Sequence, residues 1–198
     1  MNRRRIAIVA AALVAAAALV WILVAAASRW AGGSAPAAVA GPAAAAPADP
    51  ERRIKATLYY VSEDGLSMPG VQREIPFGES IGEQARRIVE AQLAAAPAPY
   101  VSPLPAGTSL RSLFIGERGD AFVDLSSQVR TGHPGGSLTE LFTTYAVVNA
   151  LTVNLPAITR VQILIDGKEV DTLAGHVDLR HPLHKNLTWT ALQTDTDK

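Results

Sequence analysis

Ile54-Lys-Ala-Thr-Leu-Tyr-Tyr-Val61 is a β-prone run followed by the turn signals Ser62-Glu-Asp-Gly65 and Pro69-Gly70, a second extended run, Val71-Gln-Arg-Glu-Ile75, and a helix opened by Ser80. In the first run Ile54, Ala56, Leu58 and Tyr60 alternate with Lys55, Thr57, Tyr59 and Val61, the period-2 signature of a strand. Ser80-Ile-Gly-Glu83 fits a capping box, in which Ser80 accepts from the Glu83 amide and the Glu83 carboxylate reaches back to the Ser80 amide. Ile81, Ala85, Ile88, Val89 and Leu93 then recur at helical spacing. The segment from Ile54 to Ile88 is therefore a strand-strand-helix unit, and the remainder of the chain is read around it.

Pro97 to Thr108 contains prolines at 97, 99, 103 and 105 and can be neither a helix nor a central strand. It leads to a second hairpin, Leu110 to Ile115 and Ala121 to Leu125, whose connection Gly116-Glu-Arg-Gly-Asp120 has the glycines that hairpin turns need. Ser137-Leu-Thr-Glu140 repeats the capping-box pattern. Leu138, Leu141, Phe142, Tyr145, Val148 and Leu151 form the stripe of a second helix ending near Pro156. Arg160 to Ile165 is a strand closed by Asp166-Gly-Lys168, and a short strand is expected over Glu169 to Leu173. The order ββαββαβ implies an α/β (α+β) two-layer sandwich, with both helices buried on one mixed sheet. Leu58 and Tyr60 are expected to meet the helices. Tyr59 and Val61 are expected on an uncovered face, the first place to look for a partner.

Upstream of this unit, residues 6–27 are an unbroken apolar run preceded by Arg3, Arg4 and Arg5. As a helix it would rise about 33 Å, enough to cross a hydrocarbon core of about 30 Å. The run exceeds the h-region of a secretory signal, which favours an uncleaved single-pass anchor over a cleaved leader. The basic flank keeps the N-terminus cytoplasmic and places the domain outside, at the cytoplasmic (inner) membrane. Prolines at 36, 42, 47 and 50 among Ala, Gly and Ser make the following stretch a tether. The organisation is then 1–28 anchor, 29–50 linker, 51–184 domain and 185–198 tail.

The 198 residues include no cysteine, which removes disulfides, thiolate metal sites and thiol nucleophiles. From position 51 onward 14 basic residues face 17 acidic ones, and no basic face is evident, so nucleic-acid binding is set aside.

Ala56-Thr-Leu-Tyr-Tyr-Val61, the Pro-Ala-Gly-Thr-Ser-Leu110 approach, Ala121-Phe-Val-Asp-Leu-Ser126, Val148-Asn-Ala-Leu-Thr152, Val161-Gln-Ile-Leu-Ile-Asp-Gly-Lys168 and Gly175-His176 occur together in order. Across positions 54 to 184 the chain resembles the GerMN domain of sporulation and spore-germination lipoproteins. The resemblance implies a non-enzymatic, envelope-exposed module similar to the ring-building domains of membrane-spanning assemblies. Many such proteins carry a lipidated cysteine and two copies of the domain. This chain has no cysteine, so residues 6–27 must attach it, and it has room for one copy.

Individual residues add no chemistry to that picture. His176, His181 and His184, with Asp178, are the one grouping with metal-ligand types, but their spacing fits no helical ligand pair and Pro182 interrupts them. The bland reading is a surface tail. Asp124, two residues before Ser126 and Ser127, has no visible base or acid partner and reads as a cap for the segment after its strand. Asn149 and Thr152 read as side chains bonded to a neighbouring loop's backbone, Asp166-Gly167-Lys168 as a turn, and Gly116 with Gly119 as hairpin glycines rather than a phosphate cradle. No catalytic, cofactor-binding or metal residue is assigned and no cofactor is expected. Protein-protein assembly, with other envelope proteins or between copies, is the leading functional expectation. Peptidoglycan binding is the alternative, and a wall hydrolase using His176 and Asp124 is the third.

Overall fold

The computed structural model describes residues 52–190. The anchor at 6–27, the linker and the last eight residues lie outside that range, and among the described residues no helix is long and apolar enough to cross a membrane. The elements run β1 (Arg53–Tyr59), β2 (Gly70–Pro76), α1 (Ile81–Leu93), β3 (Leu110–Ile115), β4 (Asp120–Leu125), a one-turn α2 (Gln128–Thr131), α3 (Ser137–Asn154), β5 (Arg160–Ile165), β6 (Lys168–Glu169) and β7 (Leu183–His184). The α+β class and the ββαββαβ order stand. The expected strand over Glu169 to Leu173 is confined to Lys168–Glu169.

The strands do not form one sheet. β1 and β2 make a separate antiparallel ladder, Arg53 opposite Pro76 through Tyr59 opposite Gly70. The mixed sheet runs β3-β4-β5-β6, with β7 also on β5. In it β3 and β4 are an antiparallel hairpin, and α3 is the crossover that makes β4 and β5 parallel. Arg160 locks that parallel pair in register. It donates from Nε and Nη2 to the two carboxylate oxygens of Asp120, its direct partner, at 2.7 and 2.9 Å.

The helices share their apolar surface between the two sheets. α1 packs on β1, β2 and β3, α3 packs on β1 and β5, and the two helices touch each other. Residues 146–152 of α3 are buried without a break, as required of a helix with neighbours on every side. This placement corrects the expectation for the first strand. Tyr59 is not on an open face, because its residue is 3% exposed, and Tyr60 is fully buried.

The free edge of β1 explains why the hairpin needs no further strand. Gln92 on α1 accepts from the Tyr59 N–H through Oε1 at 2.8 Å and donates from Nε2 to the Tyr59 carbonyl at 2.7 Å. Asn154 at the end of α3 does the same for Thr57, accepting and donating at 2.8 Å. Two side-chain amides thus stand where a neighbouring strand's peptide groups would be.

Only the first of the two expected capping boxes forms, and only its serine half. Ser80 Oγ accepts from Glu83 N at 3.1 Å, while the Glu83 carboxylate accepts from Glu79 N, not from Ser80 N. At α3 the N-cap is Gly136, Ser137 lies inside the helix, and Glu140 is directed elsewhere. Ser80→Ala should therefore cost about 1 kcal/mol in a chemical denaturation curve, and Ser137→Ala only a few tenths. Equal losses would contradict this assignment of the caps.

Candidate functional site

One apolar surface lies where β1 ends. Beyond Tyr59 the chain bridges to the proline segment, with Val61 N donating to Val101 O at 2.9 Å and Val101 N to Val61 O at 3.0 Å. The 62–67 turn closes on itself. Ser67 N donates to Ser62 Oγ, and the Ser62 hydroxyl donates to Asp64, which holds the Asp64 carboxyl below the usual range. Leu66 is left 56% exposed at the tip of this turn.

The proline segment is tied to α3 by Thr143, whose hydroxyl donates to Pro103 O at 2.6 Å. His133 orders the loop before α3 by accepting from Gly135 N at 3.0 Å. These ties leave a cavity of about 320 Å³ lined mainly by Val61, Val101, Leu104, Pro105, Leu138 and Phe142, with Ser102 and Thr139 adding hydroxyls and no charged residue in its wall among the described residues. Val101 is 57% exposed at its rim, and Trp189 meets Phe142 edge-on with centroids 6.4 Å apart. Val61 is the one residue of the expected open face that reaches this surface. The rest of the groove has no signal in the sequence, because the proline segment has no period and is legible only as neither helix nor central strand.

The histidines do not gather. Among the described residues no group of three or more His, Cys, Asp or Glu side chains is placed to hold a metal. His176 instead meets Glu140, Nδ1 to Oε2 at 3.1 Å, and Asp178 pairs with Arg180 at 2.7 Å. His181 and His184 flank Pro182 near β7. The segment is not a surface tail either, since Leu173 and Leu179 are buried and Gln162 of β5 donates to Leu179 O at 2.6 Å.

Glu140 organises that segment. Fully buried, it accepts from Leu173 N and His176 N, each at 2.8 Å. Burial pushes its carboxyl up, but the amides of Ala174, His176, Val177 and Leu173 outweigh burial and leave it below its ordinary value.

Asp124 is structural by a different route from the expected cap. It accepts from Gly167 N at 2.8 Å and faces Arg111 at 3.3 Å, holding the β5-β6 turn beside β4. Asn149 does bond a neighbouring backbone, donating to Asn186 O at 2.7 Å and accepting from Asn186 N at 3.0 Å. Thr152 bonds within its own helix, to Val148 O. Gly119 has φ +81°, which serves the hairpin turn, and a Cβ there would sit 2.6 Å from Ala157 O, so its bare Cα also admits the close approach of the segment before β5.

A family model described as sporulation and spore germination, Germane, matches residues 57–171. The chain belongs to the Germane family. The first GerMN domain of the sporulation protein GerM from Bacillus subtilis matches with a TM-score of 0.50 and 21% identity, over 67% of this chain and 96% of that one. The tandem GerMN domains of the same protein give 0.50 and 20%, over 69% of this chain and 46% of theirs. The Germane chain thus spans about half the length of the tandem form, and both likenesses concern the fold. No curated protein matches the chain.

Proposed function

We propose that this chain is a membrane-anchored envelope protein whose GerMN domain docks other proteins, with the groove at Val101 receiving an apolar side chain from an extended segment of an envelope partner. The carrying observation is the uncharged and mainly apolar wall of that groove, in which Ser102 and Thr139 are the polar side chains, beside a valine 57% exposed. A hydroxyl-rich glycan strand would leave most of its polar groups unpaired against such a wall, whereas a Leu- or Met-like side chain would not. Peptidoglycan binding is therefore the alternative outcome of the test.

A photo-crosslinking residue at position 66, next to Gly65 of the groove's lining, should give a discrete adduct with one envelope protein in membranes of the native host. Val101→Asp should reduce that adduct at least tenfold, because docking would bury an unpaired carboxylate. An adduct unchanged by Val101→Asp, or co-sedimentation of the chain with purified sacculi and no protein adduct, would overturn the reading.

A further inference from the structure

Among the described residues the fold protects its other exposed strand edges and leaves one open. The free edge of β1 is filled by Gln92 and Asn154, β2 carries Arg73 and Glu74 and ends in Pro76, and β6 and β7 are two residues each. These are the ordinary ways of blunting an edge. β3 has none of them beyond a bulge between Leu110 and Ser112 at its start. Its one charged side chain, Arg111, is already drawn toward Asp124 and Asp166 at 3.3 and 3.4 Å.

The hydrogen-bond phase of β3 shows which groups are open. Gly116 N donates to Asp120 O at 2.8 Å, so the pairs 114/122 and 112/124 in the same phase are the bonded ones. The peptide groups of Leu113 and Ile115 then point away from β4. Among the described residues neither makes a backbone bond on that side. Beside them Phe114 is 66% exposed, tilted against Phe122, and Ile81 at the start of α1 is 51% exposed across a shallow depression.

We propose that β3 pairs antiparallel with β3 of a second copy of this chain, about a twofold axis through Phe114. That register sets Leu113 opposite Ile115 of the other copy, so both residues' outward peptide groups are satisfied on each side. It places the two Phe114 side chains directly opposite in a non-bonded pair, where aromatic contacts are closest. Past the ends of the ladder it brings Arg111, at the bulge and shared with Asp124 and Asp166, toward Glu117 of the other copy's hairpin turn, which is exposed and has no ion pair among the described residues, so charges of opposite sign approach at both ends. The twofold contact is self-complementary and closes at two copies. Confinement to one membrane, which rests on the anchor reading, raises the effective concentration for so short a ladder. The edge is separate from the Val101 groove, so either reading can fail alone.

The cysteine-free chain allows a direct test. Cα atoms of a non-bonded antiparallel pair lie about 4.5 Å apart, within disulfide range. Full-length Phe114→Cys, oxidised in membranes, should give a disulfide dimer at least fivefold above that of Val101→Cys. Adding Glu117→Arg should lower the Phe114→Cys yield at least threefold, and Arg111→Cys should crosslink to a co-expressed Glu117→Cys copy. Thermal melts matching the parent chain exclude misfolding. A Phe114→Cys yield no greater than the Val101→Cys control, or one indifferent to Glu117→Arg, would overturn the proposal.

Discussion

Glu140→Ala should lower the unfolding free energy by on the order of 4 kcal/mol, the largest loss expected from any single truncation of a polar side chain in this domain. The carboxylate is fully buried, and its two oxygens serve Leu173 N and His176 N at 2.8 Å. Truncation would strand these donors and open a void, two separate costs that add. The damage would spread, because the same segment seats Leu173 and Leu179 in the core. Glu140→Gln keeps the volume but turns an NH₂ group toward amide donors, and should cost about 2 kcal/mol.

The sign of the pH dependence follows from the depressed carboxyl. Glu140 titrates below its ordinary value when folded, so its contribution is complete above the unfolded value of about 4.3 and is lost as pH falls through the folded one. Denaturant titrations of the parent chain and Glu140→Gln at a series of pH values should therefore diverge most above about pH 4.3 and converge in stronger acid. Parallel curves from pH 6 to 2 would refute the assignment.

Gln92→Leu should cost about 3 kcal/mol although it exchanges a polar side chain for an apolar one of similar size. Gln92 is fully buried, and both ends of its amide are committed to the peptide groups of Tyr59 at 2.8 and 2.7 Å. Leucine would leave a buried N–H and a buried C=O with no partner, and the transfer gain of the methyl groups does not offset two such losses. Asn154→Ala, at a partly exposed position, should cost nearer 1 kcal/mol. Equilibrium urea unfolding reads both. If Gln92→Leu were neutral or stabilising, the hairpin would not depend on this clamp.

The sequence disclosed the elements better than their neighbours. Alternation in Ile54 to Val61 and the helical spacing of apolar residues in α1 depend on local geometry, so the order of strands and helices was legible. The family resemblance was legible because several motifs recur in order. That the first hairpin stands apart from the mixed sheet was not, since it depends on Gln92 and Asn154, two amides brought to the β1 edge only by the tertiary fold. Ser137-Leu-Thr-Glu140 misled for a related reason. Its spacing satisfies a capping box, but the competing amides of the 173–177 segment come from more than thirty residues away in sequence, and they hold the carboxylate. The groove was hidden because prolines break periods without stating what replaces them.

The stitch between Asn149 and Asn186 has an accomplice in Met68 N, which donates to Trp189 O at 2.7 Å. The turn region of the first hairpin and the middle of α3 are thus both held by residues near position 190. A nascent chain cannot close these contacts when its first hairpin emerges, nor when α3 does. It must wait until residue 189 is free of the ribosome. Completion of this domain is consequently tied to synthesis of its final stretch, and a chain stalled shortly before that point would present the Phe142 side of α3 uncovered to whatever handles it.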